Sequence, residues 1–303
     1  MRHFAIAGLQ VDLGDHDNVE FIGSEIASTK RRFPWVNMMV LGELSAYGFD
    51  AKLAESDGGR AEREFCKFAR ENQVWLVPGS LFVKEKGRTF NSATVIDPAG
   101  NVVSRYRKIF PFRPYEEGIA PGESICVFDV SGVGRFGLSI CYDIWFPELA
   151  RSQVWLGAEV LINASVTYTI DRDVELAIAR ATAATQQCYV VNVNGAGTLG
   201  RGRSIVCGPG GEIIHQAGSS AEVFTVNLDL DYVARVRKFG WQGLAQALKT
   251  FRDNKVAFPP YRQSAMSESL AALGPITMQP AQIGVETARD RSQAGSAVGS
   301  LAP

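Results

Sequence analysis

Long apolar runs are absent: no uninterrupted stretch approaches the ~18 residues that a membrane-spanning helix requires, so a membrane protein is not expected. Excess charge is absent too. Thirty-one basic residues face 32 acidic ones, for a net charge of −1. That balance offers no concentrated basic surface to neutralise phosphates, which argues against nucleic acid or an anionic membrane as partner. Paired cysteines are missing as well. The five present (Cys66, Cys126, Cys141, Cys188, Cys207) are odd in number and show no CxxC spacing. They suit neither a disulfide framework nor a zinc site, and a reducing cytoplasm is the expected compartment. Histidine is scarce. Only His3, His16 and His215 occur, none in a setting that suggests catalysis, so a Cys–His pairing lacks support and any base must be sought elsewhere.

What remains is an ordinary globular composition. The chain has 303 residues, 46% of them hydrophobic, enough for one large core or two smaller ones. The opening "HFAIAGLQV" reads as a first strand and not as a signal peptide. A helix is expected around residues 18–32, a buried strand in "MMVLGEL", a helix over 60–73 and one strand in "VWLVPGSLFV". "FNSATVIDPAGNVVSRYRK" and "SIVCGPGGEIIHQ" are hairpin signals whose turns hint at an internal duplication. Between them "RFGLSI", "EVLIN" and "YVVNVN" read as strands separated by the helices "PELARSQVWLGA" and "DVELAIARATAATQQ", and "VFTVNLDLD" closes the series. The order predicts a layered α/β domain with mixed sheets over residues 1–261. Residues 262–303 shift to Ala, Gly, Ser, Gln and Pro, the composition of a tail that is flexible or ordered at a subunit interface.

Three charged or nucleophilic residues sit where folding alone does not ask for them. In "RFGLSICYDIWFPELAR", Cys141 stands at a strand-to-helix corner, since Pro147 and Glu148 can open a helix. Such a corner lifts a side chain above a sheet, and turn N–H groups can face a developing oxyanion there. A thiol with a pKa near ~8.5 needs a base or a cation nearby to act as a nucleophile. Glu43 ends the apolar strand of "MMVLGELSAYGFD", where a carboxylate is costly unless paired or functional. Lys108 follows a strand in "VVSRYRKIFPFRP" and precedes a proline-rich loop.

In order and spacing, "VLGELSAYGF", "YRKIFPF" and "GLSICYDIWFPELAR" resemble the signature stretches of the nitrilase superfamily of carbon–nitrogen hydrolases. The resemblance covers roughly residues 4–260. It implies an α-β-β-α sandwich, two mixed sheets face to face with helices outside, that assembles as a homodimer or larger homo-oligomer. It also implies Glu43 as general base, Lys108 as oxyanion stabiliser together with the Tyr142 backbone N–H, and Cys141 as nucleophile, with no metal and no cofactor. In "PFRPYEEGIAPGE" the spacing Glu-x-x-x-Pro-Gly resembles that of a second glutamate with which family members position substrate, and the resemblance implies Glu117 for this role, with Glu116 the fallback.

The implied activity is cleavage of a small linear amide through a cysteine thioester, releasing ammonia and a carboxylic acid. Cys141-Tyr142-Asp143, where nitrilases usually show Cys-Trp-Glu, favours amide or carbamoyl substrates over nitriles. An N-carbamoyl amine hydrolase, releasing carbon dioxide as well, is the alternative; a nitrilase or a non-catalytic interaction module ranks lower. Tyr47, Tyr115, Trp145 and Tyr168 are candidates for lining the substrate pocket, and Arg113 could hold a substrate carboxylate.

Overall fold

The computed structural model describes residues 1–261 and 268–276. In chain order the elements that place the site are β1 (His3–Gln10), α1 (Val19–Arg32), β2 (Met38–Leu41), α2 (Arg60–Asn72), β3 (Trp75–Val77), β4 (Ser80–Glu85), β5 (Arg88–Ile96), β6 (Val102–Arg107), β7 (Cys126–Val130), β8 (Gly134–Ile140), α3 (Pro147–Trp155), β9 (Val160–Ser165), α4 (Asp171–Gln186), β10 (Tyr189–Asn194), β11 (Ile205–Cys207), β12 (Ile213–Gln216), β13 (Glu222–Asp229), α5 (Leu230–Phe239) and α6 (Ala247–Asp253).

Two sheets result. One has seven strands in the order β13-β1-β2-β3-β5-β4, with β6 paired to β5; the other has six in the order β12-β11-β10-β9-β8-β7. Each is built around three parallel strands, β1-β2-β3 and β8-β9-β10, followed by an antiparallel neighbour, β5 and β11 respectively. The two sheets thus repeat one strand pattern.

The parallel strands are apolar on both faces because both faces are covered. Along β1, Phe4 and Ile6 enter the core between the sheets, while Ala7 and Leu9 face α1 and α2. Along β2, Met38 and Val40 point inward and Met39 and Leu41 outward. Phe136, Leu138 and Ile140 of β8 meet the same central core, and Leu161 and Val190 pack outward under α3 and α4 with Leu176, Ala179 and Ala183. The layers are therefore α-β-β-α, as the sequence resemblance implies.

Two sequence expectations change. "VWLVPGSLFV" is two strands, because Pro78 offers no N–H to the ladder and Gly79 turns with φ +82°. A Cβ on Gly79 would stand 1.8 Å from the Gly42 carbonyl oxygen, so the break presses against the chain leading to Glu43. β7, whose buried positions alternate in "CVFDV", adds an edge strand that the sequence reading passed over. Most of the tail expected over 262–303 lies outside the described residues.

Candidate active site

The site forms where chain ends leave the strands. Glu43 lies two residues beyond β2, Lys108 directly follows β6, and Cys141 directly follows β8. The ends of β2, β9 and β10 are drawn together tightly. Glu43 N–H donates to the Ser165 carbonyl (3.0 Å), and a Cβ on Gly42 would come within 2.6 Å of that oxygen and 2.9 Å of the Gly195 nitrogen. Only glycine permits this approach.

Lys108 Nζ donates to Glu43 Oε1 and to Glu116 Oε2, both at 2.8 Å. Asn91, from β5, ties the same two acids together, its Nδ2 donating to Glu43 Oε1 (2.8 Å) and Glu116 Oε1 (3.1 Å). Glu116 also accepts the Phe112 backbone N–H. Two carboxylates and one ammonium leave a surplus negative charge in a buried space, and the two acids share it unequally. Burial pushes the Glu43 pKa up; Lys108 pulls against that, and the negative Glu116 adds to the rise. Burial also opposes ionisation of Glu116, but Lys108 and the Phe112 and Asn91 donors bring it below the ordinary carboxylate value. For Lys108, burial favours the neutral amine, yet Glu43 and then Glu116 overcome it and hold the ammonium well above its usual pKa. A raised carboxyl beside a permanent cation is what a general base with an oxyanion-binding neighbour requires.

Cys141 adopts φ +45°, the left-handed region that costs a non-glycine residue on the order of 1–2 kcal/mol. Asp143 holds this corner. Its carboxylate accepts the Ile140 N–H (2.9 Å), the Phe110 N–H (2.9 Å) and the Tyr106 hydroxyl (2.6 Å), so the nucleophile turn and the loop after Lys108 hang from one buried acid. Burial pushes the thiol pKa of Cys141 well above its ordinary value, Glu43 adds to the rise, and Lys108 and the Val166 backbone N–H oppose it. The thiol is thus at rest as S–H, and needs a base to become a nucleophile. Its Sγ lies 3.6 Å from Thr167 Oγ1.

Glu43, Lys108 and Cys141 are brought together as expected, but the second acid is Glu116. Glu117 is exposed, and the ion pairs of Lys108 run to Glu43 and Glu116. The choice between neighbouring glutamates is made by the loop. Glu116 N–H bonds to the Phe112 carbonyl, and Arg113 donates to the carbonyls of Glu116 (2.9 Å) and Ile119 (2.5 Å), folding the segment back on itself. Arg113 therefore serves as a loop brace.

The aromatic candidates scatter in role. Tyr115 is exposed and stacks on Phe112, whose ring also meets Tyr142 edge-on at 4.9 Å. Trp145 Nε1 donates to Glu175 at 3.5 Å, and Tyr168 meets Phe49 edge-on. Tyr47 buries its ring in the core under α1 and α2 and donates its hydroxyl to Glu55 (2.6 Å). Asn91, Thr167 and Glu175 were missed in the sequence. A buried polar residue in a β-rich run, as Asn91 is in "FNSATVI", was the one signal available. Among the described residues no group of three or more His, Cys, Asp or Glu could hold a metal, and no helix is long and apolar enough to cross a membrane.

The chain is similar to several known proteins. A 2-oxoglutaramate amidase from Bacillus subtilis (strain 168) is 30% identical over 247 residues, covering 78% of this chain and 94% of its own. The omega-amidase NIT2 of Homo sapiens is 29% identical over 212 residues, covering 64% and 76%. Among solved structures, a carbon-nitrogen hydrolase from Helicobacter pylori G27 superposes with a TM-score of 0.74 at 24% identity, covering 86% of this chain and 97% of its own. Saccharomyces cerevisiae Nit3, a member of branch 10 of the nitrilase superfamily, gives 0.73 at 23% identity, covering 78% and 94%. The family model described as carbon-nitrogen hydrolase matches residues 5–238, and with Glu43, Lys108 and Cys141 gathered at one end of the sandwich, the chain belongs to the carbon–nitrogen hydrolase family.

Proposed function

We propose that this hydrolase cleaves a small linear amide through a thioester on Cys141. Glu43 accepts the thiol proton as sulfur attacks the carbonyl carbon. Lys108 and the Tyr142 backbone N–H face the oxyanion that forms. Glu43 then returns the proton to nitrogen, ammonia leaves, and the acyl group remains on sulfur. Water, deprotonated by Glu43, attacks the thioester; the proton returns to sulfur and a carboxylic acid is released. Glu116 holds Lys108 in place and ionised throughout.

The observation that carries this reading is Lys108 Nζ at 2.8 Å from Glu43, both buried, beside a thiol kept protonated. The names of the relatives, 2-oxoglutaramate amidase and omega-amidase, favour an amide over a carbamoyl amine. A homodimer is part of the same proposal. Trp155 is 62% and Leu156 46% exposed at the end of α3, and Trp155 meets Phe251 of α6 edge-on, an apolar surface suited to a second copy. The five free cysteines accord with a reducing compartment.

The test is ammonia and carbon dioxide release from a panel of amides, 2-oxoglutaramate included, with carbamoyl amines and nitriles, run beside Cys141→Ala. Ammonia without carbon dioxide from an amide, lost in the variant, is the expected result. Carbon dioxide release would transfer the assignment to carbamoyl amines, and full activity in Cys141→Ala would end it.

A further inference from the structure

One further buried acid near the thiol has no task in the mechanism above. Glu175, in the second turn of α4, is 3% exposed. Its carboxylate collects three donors: Arg172 Nη1 on Oε2 at 3.0 Å, and Thr167 Oγ1 (3.0 Å) and Trp145 Nε1 (3.5 Å) on Oε1. Arg172 is itself buried and fixed by Asn192 Oδ1 (2.6 Å) and the Arg203 carbonyl (2.7 Å). This α4 network reaches the reacting atom through one residue, since Thr167 Oγ1 also stands 3.6 Å from Cys141 Sγ.

A hydroxyl carries one proton, and here two acceptors lie within reach. While sulfur is protonated it is a weak acceptor, and the carboxylate of Glu175 holds the Thr167 proton. Once Glu43 has taken the thiol proton, the thiolate becomes a charged acceptor of comparable strength. We propose that Thr167 turns its hydroxyl from Glu175 to Cys141 Sγ when the thiolate forms, and that Glu175 is a positioning residue that holds the hydroxyl back until then. No covalent bond changes, because the proton stays on Oγ1. Glu175 keeps Arg172 and Trp145 when Thr167 turns away, so neither end of the switch is left without a partner.

The charged groups facing the thiol are Glu43 beyond β2, Lys108 beyond β6, and Glu175 and Arg172 from α4. Glu175, like Glu43, makes the thiolate less favourable, while Lys108 makes it more so. The α4 carboxylate therefore restrains the thiol in the resting enzyme, and the Thr167 hydroxyl supports it once ionised.

The inference rests on Cys141 being the nucleophile, and its test does not need turnover. The rate of Cys141 alkylation by iodoacetamide, followed by peptide mass across pH, is compared in the wild type, Thr167→Val, Thr167→Ser and Glu175→Gln. Thr167→Val should shift the alkylation profile to higher pH, slowing it about tenfold at a given pH, and should lower kcat about tenfold with KM little changed. Thr167→Ser should behave as wild type. Glu175→Gln should shift the profile to lower pH. Opposite shifts separate this role from simple loosening, which would move both variants the same way. A wild-type profile in Thr167→Val, or shifts of the same sign, would overturn the proposal, and should Glu175→Gln not fold, the valine and serine pair decides alone. Absence of turnover in every protein, with the alkylation differences intact, would instead sink the amide reading and leave this one standing.

Discussion

Lys108 Nζ stands 2.8 Å from Glu43 Oε1, and the two side chains are only 2% and 3% exposed. With Glu116 on its other side, the ammonium is the sole positive member of a buried triplet. Lys108→Met should therefore strand two carboxylates without compensation, costing about 3–5 kcal/mol of stability and lowering kcat at least ~10²-fold. The double variant Lys108→Met with Glu116→Gln removes one of the stranded charges. Thermal melts should show it more stable than the single variant, although its turnover stays lost. A double variant no more stable than the single would mean that charge is not what Lys108 balances.

Adjacent glutamates should differ sharply. Glu116 accepts from Lys108, Asn91 and the Phe112 N–H, whereas Glu117 is exposed. Glu116→Gln should reduce kcat on the order of 10²-fold through a misplaced and less firmly charged Lys108, while Glu117→Gln should stay within about twofold, as surface changes usually do. Steady-state kinetics on the two variants decides the matter, and equal effects would contradict the placement.

How far the chain could be read in advance varies with the physics of each part. The parallel strands announced themselves because burial on both faces leaves continuous apolar runs such as "EVLIN" and "YVVNVN"; Glu43 and Cys141 stood out at the ends of apolar strands, and Lys108, beside Arg105 and Arg107, only through the resemblance of the three stretches. Glu116 did not stand out from Glu117, since an irregular loop has no period to say which side chain turns inward. The decision lies with Arg113 gripping two backbone carbonyls, a tertiary fact. The Pro78-Gly79 break was visible but its consequence was not: the short strands on either side depend on the close approach to Gly42. Thr167 and Glu175 looked like ordinary loop and helix residues, and only the packing of α4 against the end of β8 joins them to sulfur.

Asp143 should make stability and activity respond to pH in opposite directions. Burial pushes its pKa up to about 6, against the pull of Tyr106 and the Ile140 and Phe110 N–H groups. A carboxyl raised in the folded state binds its proton more tightly there than in the unfolded chain, so this group's contribution is fullest below about pH 4 and is lost as pH rises towards 6, on the order of 3 kcal/mol in all. Protonation, however, weakens the acceptor that holds the Cys141 corner, so kcat should fall on the acid side with a midpoint near 6. In Asp143→Asn the amide cannot accept from every donor the carboxylate serves, which should cost about 1–3 kcal/mol at neutral pH, and the titration disappears. The gap in thermal stability between wild type and variant should widen as pH falls from 6 to 4; a constant gap would show that Asp143 titrates normally.

Cys141 itself should be expendable for folding and not for turnover. Its φ of +45° belongs to the region glycine occupies without penalty. Cys141→Ala should abolish activity while keeping a cooperative melt near that of the wild type. Cys141→Gly removes one more carbon, which elsewhere would cost stability, but here it also relieves the left-handed strain, worth on the order of 1 kcal/mol. The glycine variant should therefore melt at or above the alanine variant. If glycine instead melts several degrees lower, the corner is not strained at Cys141, and the thiol's elevation above the sheet must be maintained by Asp143 and its three donors alone.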